Sequence, residues 1–150
     1  MARLSLRERR RRQRVDTALP IRIKYSREEI LGRTKNISVL GTYLEADKEI
    51  PIGTILDIKI RIPETGQRQA GKSREIRCAG IAFRCQPGGS LEPKNQYGIG
   101  IFFRSFSGNG EKDLSKYIDY ILSEEKKMGK IYMRKRKRKQ RQSKRKGGKQ

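Results

Sequence analysis

The chain reads as an all-β protein with one added helix: a small antiparallel barrel of five or six short strands, closed on one side by a C-terminal helix. Three features of its 150 residues predict this. Apolar residues alternate with polar ones in several short runs, the period of a strand with one wet face. Turn residues separate these runs at regular intervals, which suits a barrel better than a βαβ sheet with long crossovers. One stretch near the C-terminus then changes to helical spacing.

The first strand begins at Leu19, where Leu19, Ile21, Ile23 and Tyr25 alternate with Pro20, Arg22 and Lys24. A turn around Ser26–Leu31 leads to a second strand from Gly32 to Ser38, broken by Gly41, and Thr42–Glu45 resumes extended structure. Pro51-Ile52-Gly53 is turn chemistry. Leu56, Ile58, Ile60 and Ile62 mark another strand, followed by a polar hairpin loop over residues 63–74. Residues 75–86 hold a strand with Ile81 and Phe83 on one face, residues 86–95 a second loop, and Tyr97–Phe103 an aromatic and β-branched strand. After the Ser107-Gly108-Asn109-Gly110 break, Leu114, Tyr117, Ile118, Ile121 and Leu122 recur at helical spacing, with Glu111 and Asp113 in the first turn to favour the helix dipole. Gly129 interrupts the pattern, which leaves an extension through Met128, Ile131 and Tyr132 open. Residues 126–150 form a basic tail expected to be disordered, because residues 134–150 carry no large apolar side chain to bury.

Charge is concentrated at the ends. The net charge is +22; residues 1–14 hold seven arginines and only Glu8 as an acid, and residues 134–150 hold eleven Lys/Arg and no acid. That leaves +5 for residues 15–133, an ordinary mildly basic globular segment. The domain division is therefore a basic arm over 1–14, a barrel with its closing helix over 15–125, and a tail over 126–150.

Catalysis finds little support. The chain has no histidine, no phosphate-cradling glycine loop and no paired carboxylates at a recognisable spacing. Cys78 and Cys85 lie seven positions apart, roughly 23 Å along one extended strand, too far for a disulfide. Two thiols without histidine make a zinc site improbable. Neither a membrane-length apolar run nor a signal-peptide core follows Met1, so the expected setting is reduced and cytoplasmic.

Two segments carry the functional signal. Arg9-Arg10-Arg11-Arg12-Gln13-Arg14 is a cluster of planar donors on the leader, matched to phosphate oxygens and to the O6/N7 edge of guanine. Asn36-Ile37-Ser38-Val39-Leu40-Gly41 places an amide, a hydroxyl and a residue without a side chain where a strand turns. An Asp/Asn-x-Ser-x-x-Gly pattern arises by chance in roughly one chain of this length in fifteen, and its bland reading is a self-satisfied turn. The order of the two segments adds information: the arginines come just before the first strand, and the polar set closes the next.

Together these residues resemble the PilZ domain, a bacterial receptor module for cyclic di-GMP, over roughly residues 8–123. Arg10 and Arg14 match its RxxxR element, and Asn36, Ser38 and Gly41 its [D/N]xSxxG element. The Leu19-Pro20 strand start and the strand Tyr97-Gly98-Ile99-Gly100-Ile101-Phe102-Phe103 before a closing helix are also similar. The resemblance implies a six-stranded Greek-key-like barrel and a non-enzymatic second-messenger receptor. It implies that Arg10 and Arg14 grip phosphates and guanine edges, that Asn36 and Ser38 hydrogen-bond the nucleotide, and that Gly41 leaves it room. Arg9 could stack on a second guanine if the ligand binds as an intercalated dimer. The ligand would change the arm and the affinity for an unidentified protein partner. A rival reading is a small basic barrel that binds RNA, DNA or the ribosome through its charged ends, the tail of residues 134–150 above all.

Overall fold

The computed structural model describes Ser5 and residues 13–65, 71–88 and 96–147, with side chains as far as residue 140. Among these residues seven strands and one helix follow in order: β1 Val15–Asp16, β2 Pro20–Tyr25, β3 Glu28–Ile37, β4 Gly41–Ala46, β5 Ile55–Pro63, β6 Ser73–Pro87, β7 Tyr97–Phe106 and α1 Gly110–Gly147. Every pairing is antiparallel, and the strand order is β3-β2-β5-β6-β7-β4. Pairing of β4 back onto β3 closes the ring at six strands. The short β1 adds to β3 beyond the end of β2, with Val15 opposite Ile37 and Asp16 opposite Asn36. The β4–β5 connection leaves its hairpin neighbour and crosses to pair β5 with β2, the Greek-key step.

Alternation in the sequence becomes alternation in burial. In β5, Leu56, Ile58, Ile60 and Ile62 point inward while Asp57 and Arg61 stay exposed. Facing them are Ile23, Ile30, Ile37, Leu44, Ile76, Ile99 and Ile101, all sealed from solvent. Each such side chain contributes about 1.5–3 kcal/mol of burial free energy, and β-branched isoleucine fits a pleated wall. Leu114, Tyr117 and Ile118 from the first turns of α1 are buried with this core. Gly108, at φ +55, makes the turn that starts the helix, and Asp113 N–H bonds to the Asn109 carbonyl at 2.9 Å.

Two expectations need correcting. The turn between β2 and β3 is not Ser26–Leu31 but the two residues Ser26 and Arg27, with Tyr25 directly opposite Glu28. Glu28 and Glu29 look like loop residues, yet they join the ladder because the inward Ile30 pins the register and Arg22 meets Glu29 at 3.1 Å. The second concerns the tail. Rather than losing structure after residue 125, α1 runs unbroken to Gly147. Gly129 costs only about 1 kcal/mol relative to alanine, and Lys, Arg and Gln are good helix formers. The chain divides into two units, Met1–Ile118 and Asp119–Gln150, so the break falls within α1. Within the second unit the helix exposes Met128, Ile131, Tyr132 and Met133 ahead of its basic run.

Candidate functional site

The Asn/Ser/Gly motif occupies the end of β3, the turn and the start of β4. Ser38 is buried and its hydroxyl works inside that turn. Its Oγ accepts the N–H of Leu40 at 3.2 Å and of Gly41 at 3.3 Å, and donates to the Gly41 carbonyl at 3.4 Å, while its own N–H reaches the same carbonyl at 2.8 Å. A side chain at Gly41 would run into the backbone carbonyl oxygen of Ile101 on β7. Close approach of β4 to β7 therefore demands glycine there, a reason that stands without any ligand.

Asn36 is presented differently. The β3–β4 register slips between Thr34 and Asn36, leaving Lys35 as a bulge residue. The bulge breaks strict alternation, so exposed Lys35 and half-buried Asn36 both lie outside the core next to each other. The Asn36 carbonyl is held by Thr42 Oγ1 at 2.7 Å. Its side-chain Oδ1 accepts a hydrogen bond from Arg14 Nη1 at 3.0 Å, across 22 residues of sequence. Two of the six residues singled out in the sequence are thus brought into contact, Ser38 and Gly41 frame the adjoining turn, and Arg9 and Arg10 lie outside the described residues.

The segment behind Arg14 is fastened firmly. Thr34 Oγ1 donates to the Thr17 carbonyl at 2.6 Å and accepts from Leu19 N–H at 2.8 Å, and Thr17 N–H reaches the Lys35 carbonyl at 3.2 Å. Thr17 Oγ1 also lies 3.0 Å from the Tyr117 hydroxyl of α1. These bonds anchor Thr17 and Leu19, just after Arg14, to β3 and to the first turns of α1. Beside them lies an open cleft of about 610 Å3, lined by residues 16–18, 33–36 and Glu45. Its charges balance: Arg33 and Lys35 are cations, Asp16 and Glu45 anions. Lys35 Nζ sits 2.5 Å from Glu45 Oε1, and that hydrogen bond, with the carboxylate charge, raises the ammonium pKa above its ordinary value.

Arg33, Lys35, Asp16 and Glu45 were not distinguishable in the sequence. They gain their place from the bulge and from β1 pairing, neither of which leaves a composition signal. Elsewhere the chemistry is quiet. Burial, helped by the Asp57 charge, pushes the Cys78 thiol up to about 12, so it is no nucleophile at neutral pH. Both cysteines are free, and among the described residues no cluster of His, Cys, Asp and Glu could hold a metal. No helix among them is long and apolar enough to cross a membrane.

With barrel, bulge and turn in view, comparison with known proteins places the fold. The profile of the family described as PilZ domain matches residues 8–120. The chain belongs to the PilZ domain family, a family of cyclic di-GMP-binding receptor domains without catalytic activity. Two solved structures share the fold. One is the inhibitor of motility MotI/DgrA of Bacillus subtilis, at 21% identity and a TM-score of 0.60, covering 74% of this chain and 50% of that one. The other is the PilZ domain of YcgR from Escherichia coli, solved with c-di-GMP, at 15% identity and a TM-score of 0.57, covering 81% of this chain and 98% of that one. The chain thus spans about half the length of the Bacillus protein. No curated protein sequence matches it.

Proposed function

We propose that this protein is a cyclic di-GMP receptor whose arm closes over the nucleotide at the end of β3 and alters the surface offered to a protein partner. The observation that carries the reading is the Arg14–Asn36 hydrogen bond at the mouth of the cleft. It joins the two halves of a split motif and holds a guanidinium fork beside an amide, a pair of groups suited to phosphate and to guanine. Arg10 lies four residues before Arg14 in the sequence, a separation that chain geometry limits to about 14 Å, so both forks can reach one dinucleotide. Arg9 is assigned to a second guanine when two nucleotides stack.

In this reading Asn36 contacts the ligand, and Ser38 serves chiefly by holding the turn. Ligand binding exchanges the Arg14–Asn36 bond for bonds to the nucleotide. It therefore orders the arm at small cost to the barrel, which does not depend on Arg14 for its core. Calorimetry with cyclic di-GMP tests this directly. Arg14→Ala should cost on the order of tenfold to a hundredfold in affinity, the worth of one charge-assisted contact, with no change in melting. Unchanged affinity in that variant removes the site.

A second reading rests on the exposed basic residues 134–140 of α1. They can bind a polyanion such as nucleic acid independently of the nucleotide. Parallel titration with cyclic di-GMP and a short oligonucleotide separates the two: the oligonucleotide should show the steep salt slope, the dinucleotide a shallow one.

A further inference from the structure

The outer wall formed by β3, β2, β5 and β6 carries a charge pattern that the nucleotide site does not use. Register places Arg22 of β2 opposite Lys59 of β5, and Lys59 opposite Arg77 of β6. Three cations therefore stand side by side on adjacent strands, spanning about 10 Å. Like charges directly opposite destabilise a sheet, and the next row shows the usual remedy, with Lys24 opposite both Glu29 and Asp57. Arg22 is partly answered by Glu29 at 3.1 Å and Arg77 by Glu75 at 3.2 Å. Lys59, half-buried in the middle, has no ion-pair partner among the described residues.

Beside this row lies a groove of about 270 Å3 with an apolar side made by Pro20 and by Leu31, which is 62% exposed. Arg22, Lys59 and Arg61 line it as cations and Glu75 as the single carboxylate. We propose that this wall is a docking surface for a short acidic protein segment carrying one apolar anchor. Two or three carboxylates would face Arg22, Lys59 and Arg77 while the anchor fills the groove against Leu31. A nucleic-acid strand fits less well. Only one row is uniformly cationic, Glu29, Asp57 and Glu75 flank it, and the row contains no aromatic ring on which a base could stack. A cationic row beside a groove with one apolar side suits a protein contact. The groove shares no lining residue with the cleft beside the Arg14–Asn36 bond, and the proposal does not depend on the reading of that site.

The test uses the full chain, labelled with 15N, so that each amide reports its own contact and the basic helix is scored apart from the wall. Probes are a synthetic Glu-Asp-Leu-Glu-Asp peptide, its Gln-Asn-Leu-Gln-Asn counterpart and a ten-residue oligothymidylate. The acidic peptide should shift the amides of Arg22, Lys59 and Arg77, and its neutral counterpart should not. Lys59→Glu should weaken that response at least about tenfold, and Arg77→Gln should weaken it independently. Lys59→Glu should also raise the melting midpoint of the free protein, because it relieves the like-charge row, and leave cyclic di-GMP affinity alone. Peptide shifts confined to other residues overturn the proposal, as does a Lys59→Glu response equal to wild type. Oligothymidylate displacing the peptide from the row overturns it as well, and assigns the wall to nucleic acid instead.

Discussion

In the barrel unit, inward residues of each strand are sealed from solvent, whereas from Asp119 to Gln140 not one side chain is buried. The two regions reach regular structure by different routes. Barrel strands form because isoleucines converge and because each ladder satisfies the backbone of its neighbour. The later part of α1 rests on intrinsic helix propensity and the Lys127–Glu124 pair, against repulsion among cations three and four residues apart. Structure specified by burial resists changes of salt and ligand. Structure specified by propensity under self-repulsion responds to both. The basic helix is thus the region whose helicity and contacts an anion can tune, and the barrel is the rigid frame that holds Asn36 and the turn.

Removing residues 134–150 tests that division with the largest expected effect. If the full chain engages about six phosphates of a nucleic acid, its affinity should fall roughly a thousandfold between about 50 and 200 mM salt. The truncated chain should lose this interaction and keep its melting midpoint and its cyclic di-GMP affinity. Helix content in the basic segment should rise on adding polyanion, read by circular dichroism, since counter-charge relieves the repulsion. A truncated protein that keeps nucleic acid and loses the dinucleotide reverses the assignment of the two regions.

A smaller effect is expected within the barrel at Gly41. Gly41→Leu forces a side chain onto the Ile101 carbonyl, and backbone cannot yield as a flexible side chain can. The barrel should lose about 1–3 kcal/mol or more in urea denaturation, with ligand affinity falling in step. Full stability with lost affinity would instead give Gly41 a purely ligand-facing role.

Much of the barrel was legible because period-2 patterning survives wherever one wall faces water, as Leu56 through Ile62 show. The motif turn was legible because serine and glycine leave few alternatives at that spacing. Other features were hidden for physical reasons. The strand start at Glu28 depends on pairing with Tyr25, and no local preference of two glutamates reveals it. The bulge at Lys35 turns Asn36 outward, yet a bulge adds one residue without a composition of its own. Helix beyond Gly129 leaves no burial pattern to read, because no side chain from Asp119 to Gln140 is buried.

Ser38→Ala probes the turn more gently. The hydroxyl accepts two backbone N–H groups at a buried position, so its loss strands both donors. The expected cost is about 1–2 kcal/mol of stability, with a matching small loss of cyclic di-GMP affinity. An affinity loss far beyond the stability loss would show that the hydroxyl contacts the nucleotide directly.

The smallest expected effect concerns Cys78, and it separates the sealed core from the solvated helix by pH. Burial first, and the Asp57 charge second, push its thiol from an ordinary 9.0 up to about 12. In the unfolded chain the thiol ionises near its ordinary value. Between about pH 9 and about pH 12 the unfolded state therefore holds fewer protons than the folded one, and stability falls as pH rises through that window. Below it both states are protonated and Cys78 contributes no slope. Wild type and Cys78→Ala are compared by their slopes, since the variant's level shifts with its altered packing. Wild type should lose more stability than the variant between about pH 8 and about pH 10.5, by on the order of 1 kcal/mol. Parallel slopes would mean that water reaches Cys78 in the folded barrel and that the wall around it opens as readily as the exposed helix.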